Sequence, residues 1–111
     1  MYTVISFLTR RADLDPLAFE DYYENRHVPL IRELVGLPPV YKRRYLRAEA
    51  ALAPENGTID FDAVTEVGFP DRAAFLAWMA AVSGPEFGEL IAADEAVFLD
   101  RSKMRPYVVE S

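Results

Sequence analysis

The one side chain that trades protons near neutral pH unaided is imidazole, and the 111-residue sequence has a single histidine, His27. It recurs with Phe19, Tyr23, Leu30 and Leu34 at spacings of three and four. That places the five on one side of a 3.6-residue helix and predicts that the ring faces inward. Pro29 follows two positions later. Its missing N–H and its ring both disturb the bond to the carbonyl of Asn25, so a kink or short break is predicted at Asn25–Pro29. A neutral imidazole in an enclosed, mostly apolar setting is a general base, which suits enolisation, lactone isomerisation or cyclisation. The competing reading is a core histidine bonded to a nearby carbonyl.

Asp94 is the second catalytic candidate. It shares a helical stripe with Phe87, Leu90 and Ile91, where a carboxylate needs a partner. It could orient or ionise His27, or simply cap a helix end. Tyr23, Tyr41, Tyr45, Phe61 and Trp78, with Phe87 and Ile91, are candidate walls of an aromatic pocket carrying a few hydroxyl handles. Other chemistries lack their residues. The chain has no cysteine, so thiolate metal sites and cysteine nucleophiles are excluded, and a metal site would need carboxylates without a readable motif. Neither a dinucleotide nor a phosphate-cradling glycine motif occurs, and no serine sits in a nucleophile elbow. No metal and no organic cofactor are expected.

The elements that must hold these residues read as follows. Met1–Thr9 is a strand apolar on both faces, hence central in a sheet. Asp15 as N-cap and Pro16 at the first position open the histidine helix, and Gly36 ends it. Val40–Arg47 is a strand whose charges suit an edge. After the turn signal Asn56-Gly57, Ile59–Phe69 is a third strand, with Phe61, Ala63, Thr65, Val67 and Phe69 on one face. Glu66, on the other face, is placed to pair with Arg43 or Arg44. Pro70–Val82 is a helix, and Ser83 with Glu86 forms a capping box that starts another. Lys103–Glu110 is a last strand, confined to an edge by Pro106.

This strand–helix–strand–strand–helix–strand order predicts an α+β, ferredoxin-like βαββαβ fold with a four-stranded antiparallel sheet, spanning residues 1–111 as a single domain. Helices cover one face only. The other face would expose Val4 or Ile5 and Val64, so a homodimer packed through its sheet faces is expected. The 12 Lys+Arg against 18 Asp+Glu leave a formal net charge of −6, which disfavours nucleic acid and anionic membrane surfaces as partners. No apolar run approaches the length of a membrane helix and no signal-peptide pattern opens the sequence, so a cytoplasmic location is expected.

Three stretches, Phe19–Tyr45, Asp62–Met79 and Asp94–Glu110, resemble the EthD family of the dimeric α+β barrel superfamily. The most specific piece is the set Tyr22, Asn25, Arg26, His27, Pro29 and Leu30. Asp62, Val64, Glu66 and Phe69 support it, and Phe98 with Asp100 adds a weaker match. The resemblance implies a dimer of ferredoxin-like subunits around a central barrel, with a ligand pocket between helices and sheet and a histidine or tyrosine that handles protons. The expected function is a cofactor-free isomerase, lyase or cyclase acting on a small aromatic, ketone or lactone metabolite through His27. The alternatives are a noncatalytic accessory protein that binds such a compound, and a cofactor-independent monooxygenase.

Overall fold

The computed structural model describes residues 1–110. Its sheet runs β2-β3-β1-β4, from β1 (Tyr2–Leu8), β2 (Val40–Tyr45), β3 (Ala63–Phe69) and β4 (Arg105–Val109). All neighbouring strands are antiparallel. The strand apolar on both faces is central, and the charged strand and the proline-bearing strand are the edges, as their compositions dictate. Together with the helices this is the expected ferredoxin-like α+β architecture.

Residues directly opposite one another share a face. The register Val4↔Val67, Ser6↔Thr65 and Leu8↔Ala63, with Tyr41↔Val67, Arg43↔Thr65 and Tyr45↔Ala63, therefore assigns these side chains to the helix side. The open side carries Thr3, Ile5, Phe7, Val64 and Glu66, joined by Tyr107 and Val109 of β4. On that side Glu66 pairs with Arg44 at 3.4 Å, while Arg43 turns to the helix layer.

The helix after β1 begins as its sequence reads. Asp15 accepts from the Ala18 N–H at 2.7 Å and Pro16 takes the first position of α1 (Pro16–Tyr22). The disturbance from Pro29 takes the form of one π turn, Tyr23–His27, in which the Val28 N–H reaches back five residues to the Tyr23 carbonyl. The chain then continues as α2 (Val28–Leu34). A π turn inserts one residue into the helical register. Phe19, Tyr23 and His27 stay inward, but beyond the insertion Val28 and Ile31 are buried and Leu30 and Leu34 only partly so. Gly36, at φ 84°, ends the helix in a conformation that suits glycine.

Several expected boundaries shift. The strands expected at Val40–Arg47 and Ile59–Phe69 end at Tyr45 and start at Ala63, and residues 51–60 are exposed, with a 3₁₀ turn at Pro54–Asn56. The capping box Ser83–Glu86 does not form. The Ser83 hydroxyl donates backwards to the Met79 carbonyl at 2.7 Å, and α4 (Gly88–Phe98) starts two residues after Glu86, without a side-chain cap. Asp71 caps α3 (Arg72–Val82) through the Ala74 N–H. No helix among the described residues is long and apolar enough to cross a membrane. The core that underlies the site joins Leu8, Phe19, Tyr23, Val28, Ala63, Phe98 and Leu99.

Candidate functional site

The π turn and α4 meet at His27. Its Nδ1 lies 2.8 Å from Oδ2 of Asp94, and the other carboxylate oxygen, Oδ1, accepts from the Tyr22 hydroxyl at 2.6 Å. An ionised carboxylate only accepts, so Nδ1 donates to it, and in the neutral form of the ring Nε2 holds the lone pair. His27 is buried, and its ring packs against Phe98 at 5.0 Å between ring centres and against Tyr23 at 5.6 Å. No buried side-chain nitrogen or oxygen among the described residues lacks a partner. Nε2 has no protein partner among those residues, so it is not completely sealed from solvent.

Asp94 lies on the α4 face that carries Ile91 and Phe98, three and four residues away, and both are fully buried. Leu90 of the expected stripe is 52% exposed, and Phe87 lies in the turn ahead of the helix. The carboxylate is thus neither a helix-end cap nor a solvent group. Its hydrogen bond raises the Tyr22 phenol above the ordinary tyrosine range, because ionising the phenol would remove the donor and place a second negative charge beside the first.

On the opposite side of the π turn, Tyr23 and Glu24 face the sheet. The Tyr23 hydroxyl pairs with Thr65 Oγ1 at 2.7 Å and receives a long contact from the Tyr41 hydroxyl at 3.4 Å. Burial pushes the Tyr23, Tyr41 and Tyr45 phenols up. Glu24 receives both Nε and Nη2 of Arg43, at 2.7 and 2.8 Å, and the Tyr45 hydroxyl. The Arg43 hydrogen bonds hold the Glu24 carboxyl below the usual glutamate range. Arg43 also lies over the Tyr41 ring, 4.6 Å from its centre, a cation–π contact.

Of the residues expected in one pocket, His27, Asp94 and Tyr23 come together, Tyr41 joins them through its hydroxyl contact with Tyr23, and Tyr45 through its ring, packed edge-on against Tyr23. Three do not. Phe61 precedes β3, so strand alternation does not carry it to the side of Ala63. It packs on Phe7 of the open sheet face at 5.0 Å. Trp78 donates to the Gly36 carbonyl at 2.9 Å and packs on Phe69, bracing α3 against the end of α2. Phe87 is displaced by the late start of α4. Ile91 is buried and lines a cleft of about 720 Å³ between the end of α3 and α4, with Glu95, Arg101 and Met104. Burial pushes the Glu95 carboxyl up. Two further hollows, of about 420 and 660 Å³, lie beside Arg10 and Asp62 and on the open sheet face. None of these three has His27 in its wall, and Phe98 and Tyr23 pack closely on its ring.

Tyr22 was not among the expected site residues, although it stands in the motif around His27. Its neighbour Tyr23 occupies the apolar stripe. What gives Tyr22 its role is a carboxylate 72 residues away, and helical spacing does not show that proximity. Among the described residues no group of three histidine, aspartate or glutamate side chains is placed to hold a metal ion.

No curated protein matches the sequence. Among solved structures, the fold is similar to that of an EthD family protein of Bacillus halodurans, at 22% identity and a TM-score of 0.65, covering 100% of this chain and 99% of that one. It is similar to Arabidopsis thaliana At3g17210, at 13% identity and a TM-score of 0.67, covering 100% and 95%. A DABB family protein with a ferredoxin-like fold from Mesorhizobium loti aligns at 11% identity and a TM-score of 0.54, covering 100% and 98%. At such identities these likenesses speak for the fold alone. The family model for the EthD domain matches residues 11–102, a span that holds the His27 motif, the Asp94 helix and the strands β2 and β3, and on that match the chain belongs to the EthD family.

Proposed function

We propose that the protein is a cofactor-free acid–base catalyst of the isomerase, lyase or cyclase type, moving a proton on a small aromatic, ketone or lactone metabolite. The observation that carries this reading is the His27–Asp94 pair, 2.8 Å long, with Nε2 left as the accessible lone pair. Asp94 fixes the tautomer and stabilises the imidazolium formed when Nε2 takes a proton from carbon next to a carbonyl. The same nitrogen then returns the proton to another atom of the guest. A positioned base of this kind typically contributes about 10²–10⁴-fold to a rate. The substrate class rests on EthD kinship.

The test is His27→Gln, assayed on a panel of enolisable ketones, lactones and phenolic acids. Turnover lost with binding retained supports the reading. Unchanged turnover overturns it. A second reading, a noncatalytic protein that holds such a compound, is supported by the cleft of about 720 Å³ lined by Ile91, Glu95, Arg101 and Met104, which offers room for a small molecule. Binding without turnover in the wild-type protein would replace the first reading with this one, and oxygen uptake during turnover would replace it with a monooxygenase.

The open sheet face supports a homodimer. Ile5, Phe7, Phe61, Val64, Tyr107 and Val109 leave an apolar patch there, with Tyr107 56% exposed, and monomers rarely keep such a patch uncovered. Light scattering should give twice the chain mass of 12.6 kDa, and Tyr107→Glu should give the monomer. A wild-type monomer at micromolar concentration would contradict the pairing.

A further inference from the structure

Tyr22 and His27 grip the same carboxylate from different sides. The phenol donates to Asp94 Oδ1 at 2.6 Å and the imidazole Nδ1 meets Oδ2 at 2.8 Å. Both rings lean on one side chain, Phe98, at 5.3 Å for Tyr22 and 5.0 Å for His27. Phe98 is fully buried and stands one helical turn after Asp94. The two donors are therefore set at a fixed separation, and Asp94 satisfies both in one rotamer. With only one donor present, the carboxylate could keep a single bond while turning about its side-chain torsions toward solvent.

We propose that Tyr22 is a positioning residue for the acid–base pair: its hydroxyl locks the Asp94 carboxylate so that Oδ2 stays on His27 Nδ1 and the lone pair stays at Nε2. This rests on the reading of His27 and Asp94 given above and adds to it the group that holds the carboxylate still. Tyr22 does not touch the guest. It acts through Asp94 alone, and a charge-assisted O–H···O⁻ bond of this length is among the stronger hydrogen bonds available to it. The raised ionisation of the phenol has the same origin.

The single histidine makes the test unambiguous, because every imidazole signal in an NMR spectrum of ¹⁵N-histidine-labelled protein belongs to His27. Tyr22→Phe keeps the ring on Phe98 and removes only the hydroxyl. The expected result is exchange of the Nδ1 proton with water about tenfold faster than in the wild type, or faster still, with Tm changed by no more than a few degrees. Exchange within about twofold of wild type would overturn the proposal. Should Tyr22→Phe fail to fold, Asp94→Asn reads the same contact from the other end. Its Tyr22 phenol should ionise closer to the ordinary tyrosine value of 10.0 than in the wild type, and an unchanged phenol titration would overturn the proposal. Neither measurement needs a substrate, so failure here leaves the turnover test of His27 standing, and failure of that test leaves these readouts intact.

Discussion

Replacing Asp94 separates the hydrogen bonds of the site from its charge. In Asp94→Ala the His27 Nδ1–H and the Tyr22 hydroxyl both lose their acceptor. The imidazole side chain is 8% exposed, so its proton has little water to turn to, and an unpaired buried donor costs about 1–3 kcal/mol. Tyr22 is only half-buried, and water can rejoin its hydroxyl at small cost. The carboxylate is itself only 13% exposed, and deleting it relieves some of its own desolvation. The balance is a loss of about 2 kcal/mol, or roughly 8 °C in Tm for a chain of this size. Asp94→Asn keeps an acceptor and a donor at the same place. Its amide oxygen can accept from Nδ1–H while its NH₂ donates to the phenol oxygen, because a phenol hydroxyl both donates and accepts. Its loss of stability should stay below about 1 kcal/mol, while the negative charge that stabilises the imidazolium is gone and turnover falls. Thermal and urea unfolding of the two variants give the comparison. An alanine variant as stable as wild type, or an asparagine variant as damaged as the alanine one, would refute the hydrogen-bond reasoning.

Phe98→Ala should cost about 3–5 kcal/mol in urea unfolding, since the ring is fully buried and packs on Phe19, Tyr22, Tyr23 and His27; a loss under about 1 kcal/mol would contradict the core described. Arg43 depresses the folded-state pKa of Glu24, so this carboxyl contributes stability above its unfolded value and loses it as pH falls through the lower folded one. Stability should thus drop below the ordinary glutamate value of 4.5, and Glu24→Gln should flatten that acid limb in melts taken across pH. Glu95 has the opposite sign. Burial raises its folded-state pKa above the ordinary 4.5, and its contribution is lost as pH rises through the folded value. In melts taken at rising pH, Glu95→Gln should therefore gain in Tm on the wild type once that ordinary value is passed.

The sheet order was legible because composition sorted the strands. An uncharged strand apolar on both faces had to be central, and a strand with Lys42, Arg43 and Arg44 or with Pro106 had to be an edge. The position of His27 was legible too, since Phe19 and Tyr23 stand two turns and one turn before it. Past Pro29 the 3.6-residue period failed: the π turn inserted a residue and buried Val28 and Ile31 in place of Leu30 and Leu34 as the main inward pair. Phe61 was misplaced because alternation is informative only inside a strand, and β3 begins at Ala63. The Asp94 contact was legible as a carboxylate in need of a partner. Tyr22 was not, because a polar atom on the flank of a stripe gains meaning only from the helix that comes to lie beside it.

Deuterium wash-in reads whether Nε2 of His27 trades a proton with a small carbonyl guest. Ketones and lactones are incubated with the protein in D₂O, and proton loss at the carbon next to the carbonyl is followed by NMR, so that no product has to be identified. At least one compound should exchange faster than in buffer, and His27→Gln should slow this exchange about 10²–10⁴-fold while the protein stays folded. Equal exchange rates for the wild type and His27→Gln would contradict that role of Nε2.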